Sequence, residues 1–359
     1  MALGMIPNIG PHRIRLLLDR AGSASELFEQ SAETLEEIPG FGPLLAGRIR
    51  SFDRWREADQ ILKRTEVCKA HLIAIDDPAY PPLLKEIYDA PPLLWARGDL
   101  TALHQPGIAV IGTRRPDRYG LDQAETWTRN IVRSGLAVYS GLAWGIDAAA
   151  HKTALETNGV TVGVLGSGID RIYPPGHKSL VKRMTEEGGV VVTEYPPGTR
   201  PSPEHFPVRN RIVSGMSRGV LVIQSGVKGG SMITARSALD QNREVFVVPH
   251  PLGSKNGEGC NYLIRSGQGK LVERVEDLLE EIRWEPLRKT GQPENVKSLL
   301  QKFSEPEQKV CKVLESGPLH LDLLPDKTGL RPGDLNSLLL SLELRGVIRQ
   351  KAGRYYELT

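Results

Sequence analysis

Residues 205–239 carry Arg209, Arg211, Arg218, Lys228 and Arg236 and no aspartate or glutamate. Within this stretch, His205-Phe206-Pro207-Val208-Arg209-Asn210-Arg211 runs into a short helical pattern. Gly229-Gly230-Ser231-Met232-Ile233-Thr234 opens another, directly after the apolar run 219–223. Small residues at a helix start leave backbone N–H groups unpaired at the positive end of the helix dipole, which suits an anion. Guanidinium groups add bidentate donors for phosphate oxygens. A further small polar turn, Gly112-Thr113-Arg114, follows the apolar run 108–111. The chemistry that these residues offer is the binding of a phosphate-bearing ligand, with Arg114, the Gly-Gly-Ser turn and Arg209 or Arg211 on one rim. The plainer alternative makes Gly229-Gly230 a simple turn and the arginines a solvated face.

Other residue types weigh less. Asp147 is expected to cap the helix that follows it, with His151 one turn later on the same face. As an acid–base pair they lack a neighbouring nucleophile and an orienting group. Tyr173, Tyr195, Phe206 and Trp144 fall near loops, where aromatics either stack on bases or close the edge of a core. Lys178, after Tyr173-Pro174-Pro175-Gly176-His177, is a candidate phosphate contact.

Several chemistries find no motif. Gly112-Thr113-Arg114 does not match the GxGxxG dinucleotide fingerprint, and Gly163-Val164-Leu165-Gly166-Ser167-Gly168 has its glycines in the wrong order. No Walker A lysine pattern, GxSxG elbow or HExxH pair occurs. Cys68, Cys260 and Cys311 are far apart and odd in number, which argues against a disulfide framework and a zinc site. No catalytic residue, metal or cofactor is therefore assigned.

The elements that must position these residues are legible as alternation. Strand-like apolar runs at 108–111, 136–139, 160–165, 190–195, 219–223 and 244–248, with a weaker one at 270–272, are separated by helical patterns such as 121–133 and 148–157. This predicts a parallel sheet covered by helices on both faces, a doubly wound Rossmann-like α/β domain. Ligands of such sheets gather beyond the carboxyl ends of the strands, where the Gly, Ser, Thr and Arg residues lie. The prolines of Tyr80-Pro81-Pro82 and Pro91-Pro92 make residues 70–95 an extended lead-in with turns.

A small helical domain is expected over 1–68. Ile6-Pro7-Asn8-Ile9-Gly10-Pro11 and Ile38-Pro39-Gly40-Phe41-Gly42-Pro43 repeat one turn type, each before a helical run, as in helix-hairpin-helix modules. Residues 1–65 hold nine Lys/Arg against nine Asp/Glu, so the charge balance favours a packing role over tight DNA binding. The central domain is expected over 69–284, a linker over 285–303, and a winged-helix domain over 304–359. The last comprises helices at 306–315, about 319–327 and 332–345 and strands at 347–350 and 354–358 joined through Gly353. With eight bases and eight acids it lacks the basic footprint of a strong duplex reader.

The whole chain of 359 residues has a formal net charge of +3, with 40% hydrophobic and 25% charged residues. These are ordinary globular values. No apolar run approaches a membrane span and no signal peptide is evident, so a reduced, cytoplasmic protein is expected.

The central segments resemble the DprA/Smf family of bacterial DNA-processing proteins. The resemblance rests on Tyr80-Pro81…Leu84…Ile87, Val110-Ile111-Gly112-Thr113-Arg114, and Ser140-Gly141-Leu142-Ala143…Gly145-Ile146-Asp147…His151. It continues through Phe206-Pro207…Arg209-Asn210-Arg211 and Gly230-Ser231…Thr234-Ala235, in order and suitably spaced across roughly 75–275. Two positions depart from the family pattern. Pro249-His250 stands where Pro-Gly is usual, and Gly267-Gln268 where Gly-Ala is usual. The resemblance implies a non-enzymatic protein that binds single-stranded DNA and helps to load the RecA recombinase onto it in natural transformation. It also implies a homodimer formed through the Rossmann-like domain. The residues nominated to hold the strand are Gly112, Thr113 and Arg114; Ser140 and Gly141; Lys178; Arg209, Asn210 and Arg211; and Gly229, Gly230, Ser231 and Thr234.

Two rival functions share parts of this pattern. Nucleoside monophosphate hydrolases of the lysine-decarboxylase-like type also place a Gly-Gly turn before a helix, usually with a glutamate on that helix. Here no acid follows Gly229-Gly230 before Asp240. A transcription regulator would instead act through the winged helix on duplex DNA.

Overall fold

The computed structural model describes residues 1–285, 304–314, 317–344, 347–351 and 354–358. The chain divides into two compact units, 1–286 and 287–359. The expected linker, apart from Glu285, lies outside the described residues, as do Gly353 and Arg345.

The first unit begins with α1 (Pro11–Ala21), α2 (Ala24–Glu29), α3 (Ala32–Glu36), α4 (Pro43–Arg50) and α5 (Trp55–Val67). The repeat read in the sequence is a repeat of geometry. Gly10 and Gly42 both cap their helices in extended backbone, and a proline follows each at the first helical position. Proline is pre-set for that position, where its missing N–H costs nothing. Leu17, Leu27, Leu35 and Ile49 are fully buried around Phe41 and form a separate small core.

The sheet is built from β1 (His71–Ala74), β2 (Leu93–Gly98), β3 (Gly107–Gly112), β4 (Ala137–Ser140), β5 (Thr161–Val164), β6 (Val190–Thr193), β7 (Gly219–Gln224), β8 (Glu244–Val247) and β9 (Lys270–Leu271). Between them lie α6 (Pro82–Lys85), α7 (Arg118–Arg133), α8 (Ile146–Glu156), α9 (Lys178–Glu186), α10 (His205–Gly215), α11 (Gly230–Asp240) and α12 (Glu258–Arg265), and α13 (Val275–Glu281) follows β9.

The period of two along each strand sorts the side chains between two cores. Ile108, Val110, Val138, Leu221 and Ile223 pack with α7, α8 and α13 on one face. Ala109, Ile111, Tyr139, Val220 and Val222 pack with α10, α11 and α12 on the other. The strand order is β1-β2-β6-β5-β4-β3-β7-β8-β9, and β3 to β9 pair in parallel. The chain winds from β3 out to β6, then returns to place β7 on the other side of β3. That reversal is the topological switch point, where a crevice opens beyond the strand ends.

The lead-in read over 70–95 is more ordered than expected. Strands β1 and β2 form a hairpin-like antiparallel pair, and β2 extends the sheet antiparallel to β6. Pairing across an intervening stretch that contains Pro81, Pro82, Pro91 and Pro92 leaves no local periodicity to read. The pair carries the helical segment: Trp95 of β2, 2% exposed, donates its indole N–H to Thr65 Oγ1 of α5 at 2.9 Å.

The second unit contains α14 (Glu305–Leu314), β10 (Leu319–His320), α15 (Leu324–Thr328), α16 (Pro332–Leu344), β11 (Ile348–Lys351) and β12 (Tyr355–Leu358). The three strands pair antiparallel in the order β10-β12-β11, beside a core of Val310, Leu314, Leu324, Leu335 and Leu339. This is a winged helix. The helix expected from about 319 is instead strand β10 and a 3-10 turn at Leu321–Leu323, with α15 starting only at Leu324. A strand of two residues is fixed by its partner, Tyr355 and Tyr356, and not by its own pattern.

Replacing Thr65 with valine keeps the volume but removes the acceptor of the buried indole. The expected cost is about 1–3 kcal/mol, seen as a lower urea midpoint for the first unit.

Candidate nucleic-acid interface

A cleft of about 690 Å³ opens at the switch point. Its floor is the end of β3, Gly112-Thr113-Arg114, and Gly141 after β4. One wall is the start of α11, Gly229-Gly230-Ser231 with Thr234, and the other is Phe206, Arg209 and Asn210 of α10. Ten nominated residues thus meet in one place. Tyr173, Arg115, Asp147 and Asn256 join them.

α11 is 11 residues long, has Gly229 as its cap and bears no acid in its first turn. Its first N–H groups have no carbonyl within the helix, so the positive end of the dipole faces the cleft. A side chain at Gly229 would stand 2.5 Å from Ser225 Oγ, and Ser231 Oγ donates to that same oxygen at 2.7 Å. Only a residue without Cβ lets the turn pack this closely. The Thr113 N–H bonds the Gln224 carbonyl at 2.7 Å, tying β3 to the end of β7.

The arginines divide three ways. Arg114 is exposed, lies over the Phe206 ring at 5.4 Å, and takes no ion pair among the described residues. Arg209 is 4% exposed and donates to the carbonyls of Gly141 and Val164, bridging the ends of β4 and β5. Burial pushes its pKa down to about 10, against the attraction of Asp147, and it stays a cation at neutral pH. Arg211 is not in the cleft: its guanidinium is ion-paired with Glu194 at 2.7 Å and Asp89 at 2.9 Å on a different surface. The nomination of Arg114, Arg209 and Arg211 together to hold the strand is corrected: Arg114 is exposed in the cleft, Arg209 is a buried tie and Arg211 an internal ion pair. The reason is helical spacing, since residues two apart on α10 point to different sides.

Arg218 is likewise remote. It precedes β7 at the opposite ends of the strands and stacks over Trp284 at 5.5 Å. The five-cation cluster seen along 205–239 therefore does not exist as a surface.

Three further nominations change role. Ser140 is fully buried and donates its hydroxyl to the Val110 carbonyl at 2.7 Å. The N–H of Gly141 is taken by Asp147 Oδ2 at 3.1 Å, and the site has no room for a Cβ, which would meet Arg209 Nη2 at 2.5 Å. Lys178 is exposed at the start of α9 and is not among the residues that line the cleft. Asp147 is not a cap: Gly145 occupies that position, and the carboxylate receives the N–H groups of Gly141 and Ala143 in the preceding loop. Burial raises its pKa, opposed by Arg209 and by those N–H groups.

Asn256 and Arg115 escaped the sequence reading. Both lie in irregular loops with no spacing signal. His250, one of the departures from the family pattern, is absorbed by packing. Its Nε2 donates to the Ile223 carbonyl at 2.8 Å, and a Cβ on Gly257 would meet its ring at 2.2 Å.

Among the described residues no group of His, Cys, Asp and Glu is placed to hold a metal, and no helix is long and apolar enough to cross a membrane.

The fold is a doubly wound α/β domain with a cleft at its switch point, a helix-hairpin-helix segment before it in the chain and a winged helix after it. Comparison with known proteins agrees along the chain. Residues 71–283 match the model of the DNA recombination-mediator protein A family, 296–354 the DprA winged helix domain, and 1–52 a SAM-like helix-hairpin-helix tandem. The Smf protein of Synechocystis is 33% identical across 99% of this chain and 97% of its own length. The Smf protein of Escherichia coli is 36% identical across 87% and 84%. The crystal structure of DNA processing protein A from Streptococcus pneumoniae superposes with a TM-score of 0.67 at 33% identity, covering 78% of this chain and 95% of that one. The same protein from Helicobacter pylori, whose structure is described for a single-stranded DNA binding mode, gives 0.52 at 29% identity over 56% and 92%. The chain belongs to the DprA/Smf family.

Arg211, Glu194 and His151 are ionisable groups held with little or no exposure. Arg211→Met strands Glu194, whose burial already raises its pKa. The loss should be about 3–5 kcal/mol, typical of one partner removed from a buried pair, in chemical denaturation. His151, fully buried with Nδ1 on Thr161 Oγ1, has its pKa lowered from 6.5 to about 3, chiefly by burial. The unfolded imidazole takes up a proton that the folded one refuses, so its contribution is present above pH 6.5 and lost as pH falls toward about 3. His151→Gln should flatten the fall of the urea midpoint over that window.

Proposed function

We propose that this protein binds single-stranded DNA through the cleft, without sequence preference, and that it is not an enzyme. The observation that carries the reading is Arg114. It is a guanidinium with no ion pair among the described residues, beside the start of α11, lying on the half-buried aromatic Phe206, with Tyr173 5.5 Å from that ring. A backbone phosphate would be held by Arg114 and the N–H groups of Gly230 and Ser231, and a base would stack on the aromatic face. Every base has such a face, so sequence matters little. Family membership and the single-strand binding of the Helicobacter pylori relative support the same ligand.

Catalysis is disfavoured by the state of Asp147, the one carboxylate among the described residues that line the cleft. Asp147 is occupied by two backbone N–H groups and the field of Arg209. A general acid or base must instead reach its substrate. Release of free base from nucleoside monophosphates at enzymatic rates would reverse this reading in favour of a nucleotide hydrolase.

The family resemblance extends the proposal. The bound strand is passed to RecA in the cytoplasm during DNA uptake, by a homodimer joined through the Rossmann-like domain. The division into 1–68, 69–284, a linker over 285–303 and 304–359 assigns the strand to the second of these.

The test is a salt series on a short single-stranded oligonucleotide. For single strands, log K falls with log[salt] at a slope near −0.7 per neutralised phosphate. Arg114→Ala is expected to weaken binding and flatten that slope by about 0.7. Unchanged affinity and slope would remove Arg114 from the site.

A further inference from the structure

Beside the cleft, a large aromatic is held rigid yet left open. Trp144, in the loop between β4 and α8, is 50% exposed. Its ring meets His177 edge-on at 4.2 Å and rests against Gly176, where a Cβ would stand 2.7 Å from the indole. His177 is itself buried, with Nδ1 donating to the Leu142 carbonyl at 2.9 Å. An indole seated in this way has its rotamer set before any ligand arrives, so stacking on it costs little further entropy.

Its position continues the cleft. Ala143 before it lines the cleft, and Gly145 after it, at φ 79°, packs on the Thr113–Arg114 backbone. Tyr173, on the loop that leads to Gly176, lines the cleft as well. Lys178 and Lys152 stand on the helices flanking the indole. Both are exposed and neither takes an ion pair among the described residues. Glu186, at the far end of α9, and Glu187, just beyond it, pair with Lys182 and Arg183.

We propose that Trp144 is a second base-stacking platform, with Lys178 as its phosphate contact, onto which the single strand passes as it leaves the cleft. The proposal rests on the cleft binding single-stranded DNA and adds the direction in which the strand runs. It also gives Lys178, absent from the cleft, a place along the path.

The experiment compares the full-length protein and its variants on a thymidine dinucleotide, which fills only the cleft, and on an oligothymidylate of about 15 nucleotides, within the usual range of single-strand sites. Trp144→Ala should weaken the longer ligand roughly 5- to 100-fold, as loss of one stacked base does, and leave the dinucleotide unchanged. Trp144→Phe should retain most of the affinity. Lys178→Gln, a surface change, should reduce the salt slope by about 0.7 on the longer ligand alone. Equal affinity of wild type and Trp144→Ala for the longer ligand, with an unchanged slope for Lys178→Gln, overturns the platform while leaving the cleft standing. Failure of the wild type to bind either ligand brings down the cleft reading itself.

Discussion

Arg209 sits almost without solvent between the carbonyls that end β4 and β5, with Asp147 nearby and itself bonded to the loop after β4. Such an arrangement is poor value as stability, since removing two charges from water is expensive and an apolar pair often does as well. What it supplies is geometry. Loop carbonyls and N–H groups that would otherwise need water are satisfied internally, so the backbone beyond the strands can hold an open crevice at the switch point without collapsing into it. The glycines follow from the same constraint: at Gly141 the guanidinium occupies the space of a side chain.

With Arg209 offset by Asp147 and Arg211 spent on Glu194 and Asp89, the positive character of the cleft comes from Arg114, Arg115 and the start of α11. A backbone dipole and one or two exposed cations can neutralise few phosphates. Affinity from such a site depends on stacking as much as on charge, and the aromatics near the rim fit that division. The mild overall charge of +3 is consistent with it.

Much of the fold was legible beforehand because its signals are local. Each parallel strand is a continuous apolar run, and each is followed by a helical pattern. The winged helix and the repeated Gly-Pro helix starts were likewise written in short stretches. Strands β1, β2 and β10 were not, because their partners lie across turns and the strands are too short to show a period. The cleft itself was anticipated from small residues at strand ends, but the roles of its charged side chains were not. Arg209 and Arg211 are indistinguishable in sequence, yet one ties two strand ends together and the other meets Glu194 from β6 and its following loop. Asp147 looked like a cap and instead bonds backward into the loop before it.

Residue order alone set the alternation of strands and helices, the family, and the line of Gly, Ser, Thr and Arg residues at the strand ends. These are properties of residue order, and hydrophobic periodicity reports them directly. Which cations remain unpaired was settled in three dimensions. A charge is freed or spent by the acids and carbonyls brought to it from distant parts of the chain, and that meeting is a product of packing that no local pattern encodes.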